Sequence, residues 1–498
     1  SLAILGASAV SARAATLYVS TTGNDRNPGT ISAPLATPKR AIDIASPGDT
    51  IFFRAGRYPI KERLWVGVSN LTISSYQGER ASIEGGTTEG EGSPSSVFVI
   101  VGNHVSLINL EIKGGAYYGI KVDIDRNPST TGVIIRGCYV HHTGRDAIKT
   151  LNADNLLIED CEIAHTGVRD NNAEGIDSIG SKGVVIRRCY VHDTRTTGIY
   201  LKGGARDGVV EGCRIVNAGN SGLLFGQDTD PEYMRDGVEY EAINCLGRNN
   251  IIENTVGAGI GTYSGSNIRF LNNTVYDAAR TNHAGFYVVM NNRDVRSRQV
   301  TFKNNILVMF SERPMFFIVN MADQIVSDSN IYYRPGGEPY KFAQEIHPDT
   351  GNYWKSLAEW QRGVGADRRS IIANPRLDTA NLCKLSAGSP AIDRGEFVSD
   401  VLTDYSGVAR PQGRGLDIGA HETGPRAGAA SAGVYKPFDE TRPRTEEASM
   451  SRKSSGAIIV GSLAGTLVMG GWLSASLFGA SRQRARPRHA ATGKGPSF

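Results

Sequence analysis

Asp146 and Glu174 each stand one residue before a small residue and an Ile, in Ala147-Ile148 and Gly175-Ile176, and each Ile is followed by a charged residue, Lys149 or Asp177. Where the two Ile point inward in successive turns of a repeating β-structure, alternation places Lys149 and Asp177 on the outer face and brings Asp146 beside Glu174. Three carboxylates that converge within two turns repel one another unless a cation lies between them. Oxygen donors without His or Cys are hard ligands, so Asp146, Glu174 and Asp177 point to Ca²⁺ before Mg²⁺ or a transition metal. The competing reading is a solvated patch in which Lys149 and Arg145 pair with the same carboxylates, an arrangement that contributes little energy.

One turn later Gly198-Ile199 repeats the pattern, with Ile199 and Leu201 inward and Lys202 outward. Arg145, Asn171 and Asn172 flank the same patch. A cation beside basic side chains suits proton abstraction next to a carboxylate, as at C5 of a uronate in an acidic polysaccharide. Negative charge then builds on that carboxylate, and Ca²⁺ with Arg145 or Lys149 would stabilise it. A Lys held near such positive charge gives up its proton more readily and acts as the base. Lys202 fits that role, and departure of O4 completes a β-elimination with an unsaturated product.

These residues need a scaffold that repeats at their spacing, and the chain has one. VIIRGCYV, LLIEDCEI, VVIRRCYV and VVEGCRIV place Cys138, Cys161, Cys189 and Cys213 at one repeat position, at intervals of 23, 28 and 24. The position is expected to continue through Cys245, Asn273, Asn305 and Asn330, about 27 residues per step. Gly119-Ile120, Ala147-Ile148, Gly175-Ile176, Gly198-Ile199, Gly222-Leu223 and Gly259-Ile260 recur with the same stagger. Short alternating strands at this period, with no helices between them, predict an all-β chain folded as a right-handed parallel β-helix of about ten coils between Thr16 and Ile331. The Cys column is then a stack of small inward side chains and not a disulfide framework, because neighbouring rungs point in parallel. No zinc-type CxxC spacing occurs.

The remaining segments read as attachments. Residues 1–14 end in Ala12-Arg13-Ala14 and read as the rear of a signal peptide, and 15–423 as the solenoid with N-terminal and C-terminal caps. YWKSLAEWQRGVGAD carries a Ser-x-x-Glu helix start at Ser356 and Glu359, and KLSAGSPAIDRGE to LDIGAHE is expected to close the stack. Residues 424–455 are Pro, Ser and Gly rich and predict a flexible stalk. Residues 456–480 are uncharged throughout and long enough for one transmembrane helix, and the arginines within 481–498 predict a basic cytoplasmic tail. The expected placement is extracellular or at the cell surface, single-pass, with the C-terminus cytoplasmic. The formal charge of +4 falls largely in that tail, so no basic field points to nucleic acid.

TLYVSTTGNDRNPGTISAPLATPKRAIDIASPGDTIFFRAGRY resembles the N-terminal coils of the pectate-lyase-like β-helix superfamily, as do NPRLDTANLCKLSAGSPAIDRG and RPQGRGLDIGAHE. The carboxylate and lysine arrangement is similar to the calcium-dependent pectate lyases of the family 9 type. That resemblance implies Asp146, Glu174 and Asp177 as Ca²⁺ ligands and Lys202 as the base, although position 173 is Ala where that family has more Asp. NNAEGID also looks like the N-T-D-G-[IF]-D segment of polygalacturonases, but Thr196-Thr197-Gly198 stands where a hydrolase needs an Asp pair. A C5-epimerase would add a second acid such as Tyr200 or His192, and the D-P-H-D motif of alginate epimerases is absent. The other class of reading is a non-catalytic surface protein that binds glycans along a flat solenoid face. The stack His141, His142, His165 and His192, and the interrupting loop 226–240 with Asp228, Asp230, Glu232 and Tyr233, are further polar features near the patch.

Overall fold

Each repeat folds as three short strands separated by tight corners, and each strand pairs in parallel with its counterpart one repeat later. Ile134–Arg136, Tyr139–His141 and Ile148–Leu151 of one coil pair with Leu157–Glu159, Glu162–Ala164 and Ile176–Ile179 of the next. The computed structural model describes residues 14–88, 93–123, 129–319, 324–347 and 350–424. Within them the strands form three long sheets of 14, 12 and 12 strands, a parallel β-helix. Up to Ile331 one of the two twelve-stranded sheets has ten parallel rungs, Leu64–Val66 to Phe316–Val319, and the other has eleven, Gly56–Pro59 to Ile331–Tyr333, in line with the expected ten or so coils; Phe342–His347, Thr350–Trp354 and Ile371–Ile372 extend them beyond that span.

The predicted residues 1–13, most of the stalk, the membrane helix at 456–480 and the basic tail lie outside the described residues. Among the described residues no helix is long and apolar enough to cross a membrane.

The inward column Ile120, Ile148, Ile176, Ile199, Leu223 and Ile260 is fully buried, each residue in register with the next. Burying each such side chain contributes about 1.5–3 kcal/mol, and no single coil could shield that face alone. Farther along, Phe270, Phe302 and Phe286 stack at 5.0 Å between ring centroids and fill the core.

Cys138, Cys161, Cys189 and Cys213 are buried free thiols in one column, as their spacing predicts. The continuation differs from the sequence reading in one place. Asn250, not Cys245, takes the next rung: Cys213 N donates to Asn250 Oδ1 at 2.9 Å, and Asn250 N to Asn273 Oδ1 at 3.0 Å. The ladder then runs through Asn305 to Asn330. Loop 226–240 lengthens this repeat, so Cys245 falls one corner early, before the strand Leu246–Arg248.

Helix α1 (Pro38–Ile44) is capped by the Thr37 hydroxyl and buries Ala41 and Ile42 at the N-terminal end. Helix α2 (Leu357–Val364) begins at Ser356, whose hydroxyl accepts from Glu359 N at 3.3 Å. The Glu359 carboxylate accepts from Lys355 N at 2.9 Å, one residue before the position a reciprocal capping box uses. Trp360 of α2 is fully buried against Phe342 and Phe316 and donates to Asp367 Oδ2 at 2.9 Å. The KLSAGSPAIDRGE and LDIGAHE segments lie along the flank of the solenoid: Asn272 donates to Asp417 O at 3.0 Å and Asn304 to Glu396 O at 2.7 Å.

Candidate active site

The outer face of the sheet that contains Ile148–Leu151, Ile176–Ile179 and Ile199–Lys202 carries the residues singled out by their spacing. Register aligns Lys121, Lys149, Asp177 and Tyr200 in one row across four coils. Lys202 pairs with Ile179, two residues beyond the Asp177 and Tyr200 rung, so it shares their face. Asp146 and Glu174 sit in the corner that feeds each strand. Their backbones are tied across coils by Ala147 N donating to Glu174 O at 3.2 Å. Gly175 is required at this corner, since a Cβ there would lie 2.5 Å from Gly198 O.

Asp146, Glu174 and Asp177 are all buried, and their ligand oxygens lie within 4.8 Å of one another. Lys149 Nζ donates to Asp177 Oδ2 and lies 3.3 Å from Asp146 Oδ2, and Lys202 Nζ lies 3.5 Å from Asp177 Oδ2. Arg145 Nε donates to Asn172 O at 3.0 Å and stands 3.9 Å from Asp146 Oδ1. With its amide oxygen toward Arg145, Asn172 accepts from Arg145 Nη2 at 2.7 Å and donates to Glu174 Oε1 at 3.2 Å. All six expected site residues therefore meet on one patch. The patch is mostly buried, unlike a solvated surface network.

Burial and the neighbouring Asp146 and Asp177 push the Glu174 carboxyl up to about 9, so without a metal it carries a proton at neutral pH. Burial alone would also raise Asp177, but Lys149 and Lys202 outweigh it and hold that carboxyl below its ordinary range. Lys149 responds in the opposite sense. Burial disfavours its charge, yet Asp177 and Asp146 prevail and raise its pKa, which keeps the ammonium charged.

The donor set fits a hard divalent cation. Three carboxylates supply only oxygen; among the described residues Asp177 Oδ1 has no hydrogen-bond partner, and Asp146 Oδ2 has no hydrogen bond and only the ion pair with Lys149. Ala173 is fully buried and adds no ligand. Lys149 already pairs with two of the carboxylates, as the competing reading expects, but in a buried setting and not a solvated one.

Loop 226–240 stands at the end of this face. Glu241, fully buried, accepts from Gly203 N at 3.0 Å and Thr229 N at 3.1 Å and pairs with Arg293 Nη2 at 2.9 Å. Arg235 donates to Gly180 O at 2.8 Å and Asp154 Oδ2 at 3.0 Å, so the loop is pinned beside Lys202. Asp228 accepts from Asn292 N at 2.7 Å, a structural use, and Tyr233 remains exposed. Neither anchor has a sequence signal, because Arg235 and Asp154 are 81 residues apart. Lys121 did have one, as it follows Gly119-Ile120 in the way that Lys149 follows Ala147-Ile148. Of the two candidate second acids, Tyr200 lies in the site row with its hydroxyl pKa raised by burial, while His192 lies on another sheet.

Residues 126–307 match the family model described as a right handed beta helix region, and residues 17–192 match that of the Pel9A-like right handed beta helix region. Pectate lyase PEL9 of Emericella nidulans is 26% identical over 229 residues, covering 45% of this chain and 52% of that protein. The chain thus matches about half the length of this curated relative. Among solved structures, the crystal structure of pectate lyase Pel9A superposes with a TM-score of 0.55 at 16% identity, over 82% of this chain and 96% of that one. The complex of XylC with xylose gives 0.51 at 12% identity, over 82% and 99%. These two likenesses concern the fold, and the family models agree with the right-handed solenoid that the repeat predicts.

Proposed function

We propose that this chain is a polysaccharide lyase that cleaves a uronate-containing, pectate-like polysaccharide by Ca²⁺-assisted β-elimination. One observation carries the reading: three buried carboxylates converge with Lys149 and Lys202 on a single sheet face. The partial match to a protein named as a pectate lyase supports it. Asp146, Glu174 and Asp177 would hold the metal, which when bound supplies Lewis-acid stabilisation to the uronate carboxylate. Arg145, fixed by Asn172, orients that carboxylate and shares its developing charge.

Lys202 Nζ would act as the base that takes the C5 proton, after giving up its own to solvent. The C–H electron pair becomes the C4–C5 double bond, the C4–O4 bond breaks, and the departing oxygen takes a proton from solvent. Asp177 keeps the amine in place. Lys149, held charged, offsets the second carboxylate while the site is assembled. The uncharged stretch 456–480 and the arginines beyond it favour an extracytoplasmic body tethered by one membrane helix.

The test is ultraviolet absorbance of unsaturated uronate when the purified chain meets pectate, alginate or glycosaminoglycans, with CaCl₂ or with chelator. Absorbance should rise on pectate only with Ca²⁺, and Lys202→Ala should lower the rate about 10²–10⁴-fold. No absorbance on any substrate would replace the lyase by a glycan-binding surface protein. Reducing ends without absorbance would mean hydrolysis.

A further inference from the structure

A second group of ligand-type side chains lies one corner away, where the chain leaves the third sheet. The strands Tyr139–His141, Glu162–Ala164 and Tyr190–His192 are in register. The next residue of each coil, His142, His165 and Asp193, has left-handed backbone geometry with φ of 52°, 53° and 51°. That turn stacks the side chains at one corner, with ring centroids 4.8 Å apart for His142 and His165 and 5.6 Å for His165 and His192. His165, His192 and Asp193 offer donor atoms that all lie within 4.8 Å of one another, and all three are half-buried. His165 and Asp193 border a shallow depression of about 490 Å³, largely open to solvent, that His142 and Arg195 also line.

The hydrogen bonding is that of a metal ligand and its support. His192 Nε2 faces Glu162 Oε1 at 3.1 Å, and His192 Nδ1 lies 2.7 Å from Asp193 Oδ2. A carboxylate on the far nitrogen of an imidazole fixes the ring and raises its basicity, which is how metal-bound His is commonly held. Between Nδ1 and Oδ2 a single proton does what a cation would do. The His165 imidazole packs against the His142 and His192 rings and lies close enough to Asp193 to act electrostatically on its carboxyl. Arg195, which also lines the depression, turns its guanidinium to Asn171 Oδ1 at 3.0 Å.

We propose that His165, His192 and Asp193 form a transition-metal site for Zn²⁺ or an ion of similar preference, with the fourth position open to the depression. Imidazole and carboxylate donors in a set of three match that class, in contrast to the oxygen-only cluster around Asp177. The metal would cross-link two coils at the turn from which Thr196 reaches Glu174 Oε1 at 3.2 Å and Arg195 reaches Asn171. It therefore braces one wall of the candidate active site. This inference does not rest on the lyase reading.

The test uses the full chain stripped with chelator and returned to buffer with excess CaCl₂, which occupies any oxygen-only site. Titration with Zn²⁺ by calorimetry, and with Co²⁺ by visible absorbance, should show one ion per chain and a spectrum of nitrogen and oxygen ligands. His165→Asn and Asp193→Asn should each weaken binding by at least about 10-fold, and Zn²⁺ should raise the thermal midpoint of the wild type but not of His165→Asn. His165→Gln serves if the Asn variant misfolds. Absence of stoichiometric binding, retention of affinity in either variant, or thiolate charge-transfer bands that place the ion on Cys would each overturn the proposal.

Discussion

Replacing Lys149 with Met separates the roles of lysine and metal. In the metal-free chain Lys149 Nζ bridges Asp177 and Asp146, both almost fully buried. The Met side chain fills similar volume but leaves those carboxylates without their principal counter-charge. Removing one partner of a buried ion pair costs about 3–5 kcal/mol. For a folded body of some 400 residues, with an unfolding entropy of about 2.1 cal/mol/K per residue, this lowers the thermal midpoint by about 4–6 °C. Ca²⁺ held by Asp146, Glu174 and Asp177 would restore the missing charge. Calcium should therefore stabilise Lys149→Met more than the wild type and recover most of the loss. Thermal unfolding of both proteins in chelator and in CaCl₂ measures the four midpoints. Equal stability of the two proteins in chelator would refute the claim that Lys149 neutralises the cluster. A loss that calcium does not recover would refute the metal assignment.

Asn305→Ala should destabilise the solenoid by about 3 kcal/mol or more in urea unfolding, because Asn273 N, Asn273 Nδ2 and Phe270 O all lose a buried partner. Burial lowers His421 to about 4 despite its bond to Leu382 O at 2.7 Å, so the folded state resists protonation. Its stabilising effect is full above the unfolded value of about 6.5 and is lost as pH falls through that window, a change of up to about 3 kcal/mol. His421→Gln should flatten the dependence of unfolding free energy on pH between about 6.5 and 4. The six free, buried thiols should stay silent toward a thiol reagent in the native chain and all react in denaturant. Fewer than six under denaturant would indicate a disulfide.

The sequence by itself determined the solenoid and which side chains gather on the candidate patch. Both follow from local periodicity: inward Ile at one position fixes which neighbours face outward, and stacking brings Asp146, Glu174, Asp177, Lys149 and Lys202 to one patch whatever the rest of the chain does. Tertiary structure decided what periodicity does not encode. Burial turned a candidate surface patch into one where Glu174 is protonated and Lys149 stays charged, because electrostatic balance depends on depth and on where long side chains end. The insertion moved the ladder from Cys245 to Asn250, and Arg235 and Glu241 pinned the loop beside Lys202. The flanking segment found Asn272 and Asn304 more than 90 residues upstream. Such contacts join residues with no shared repeat position, so they exist only once the coils have stacked.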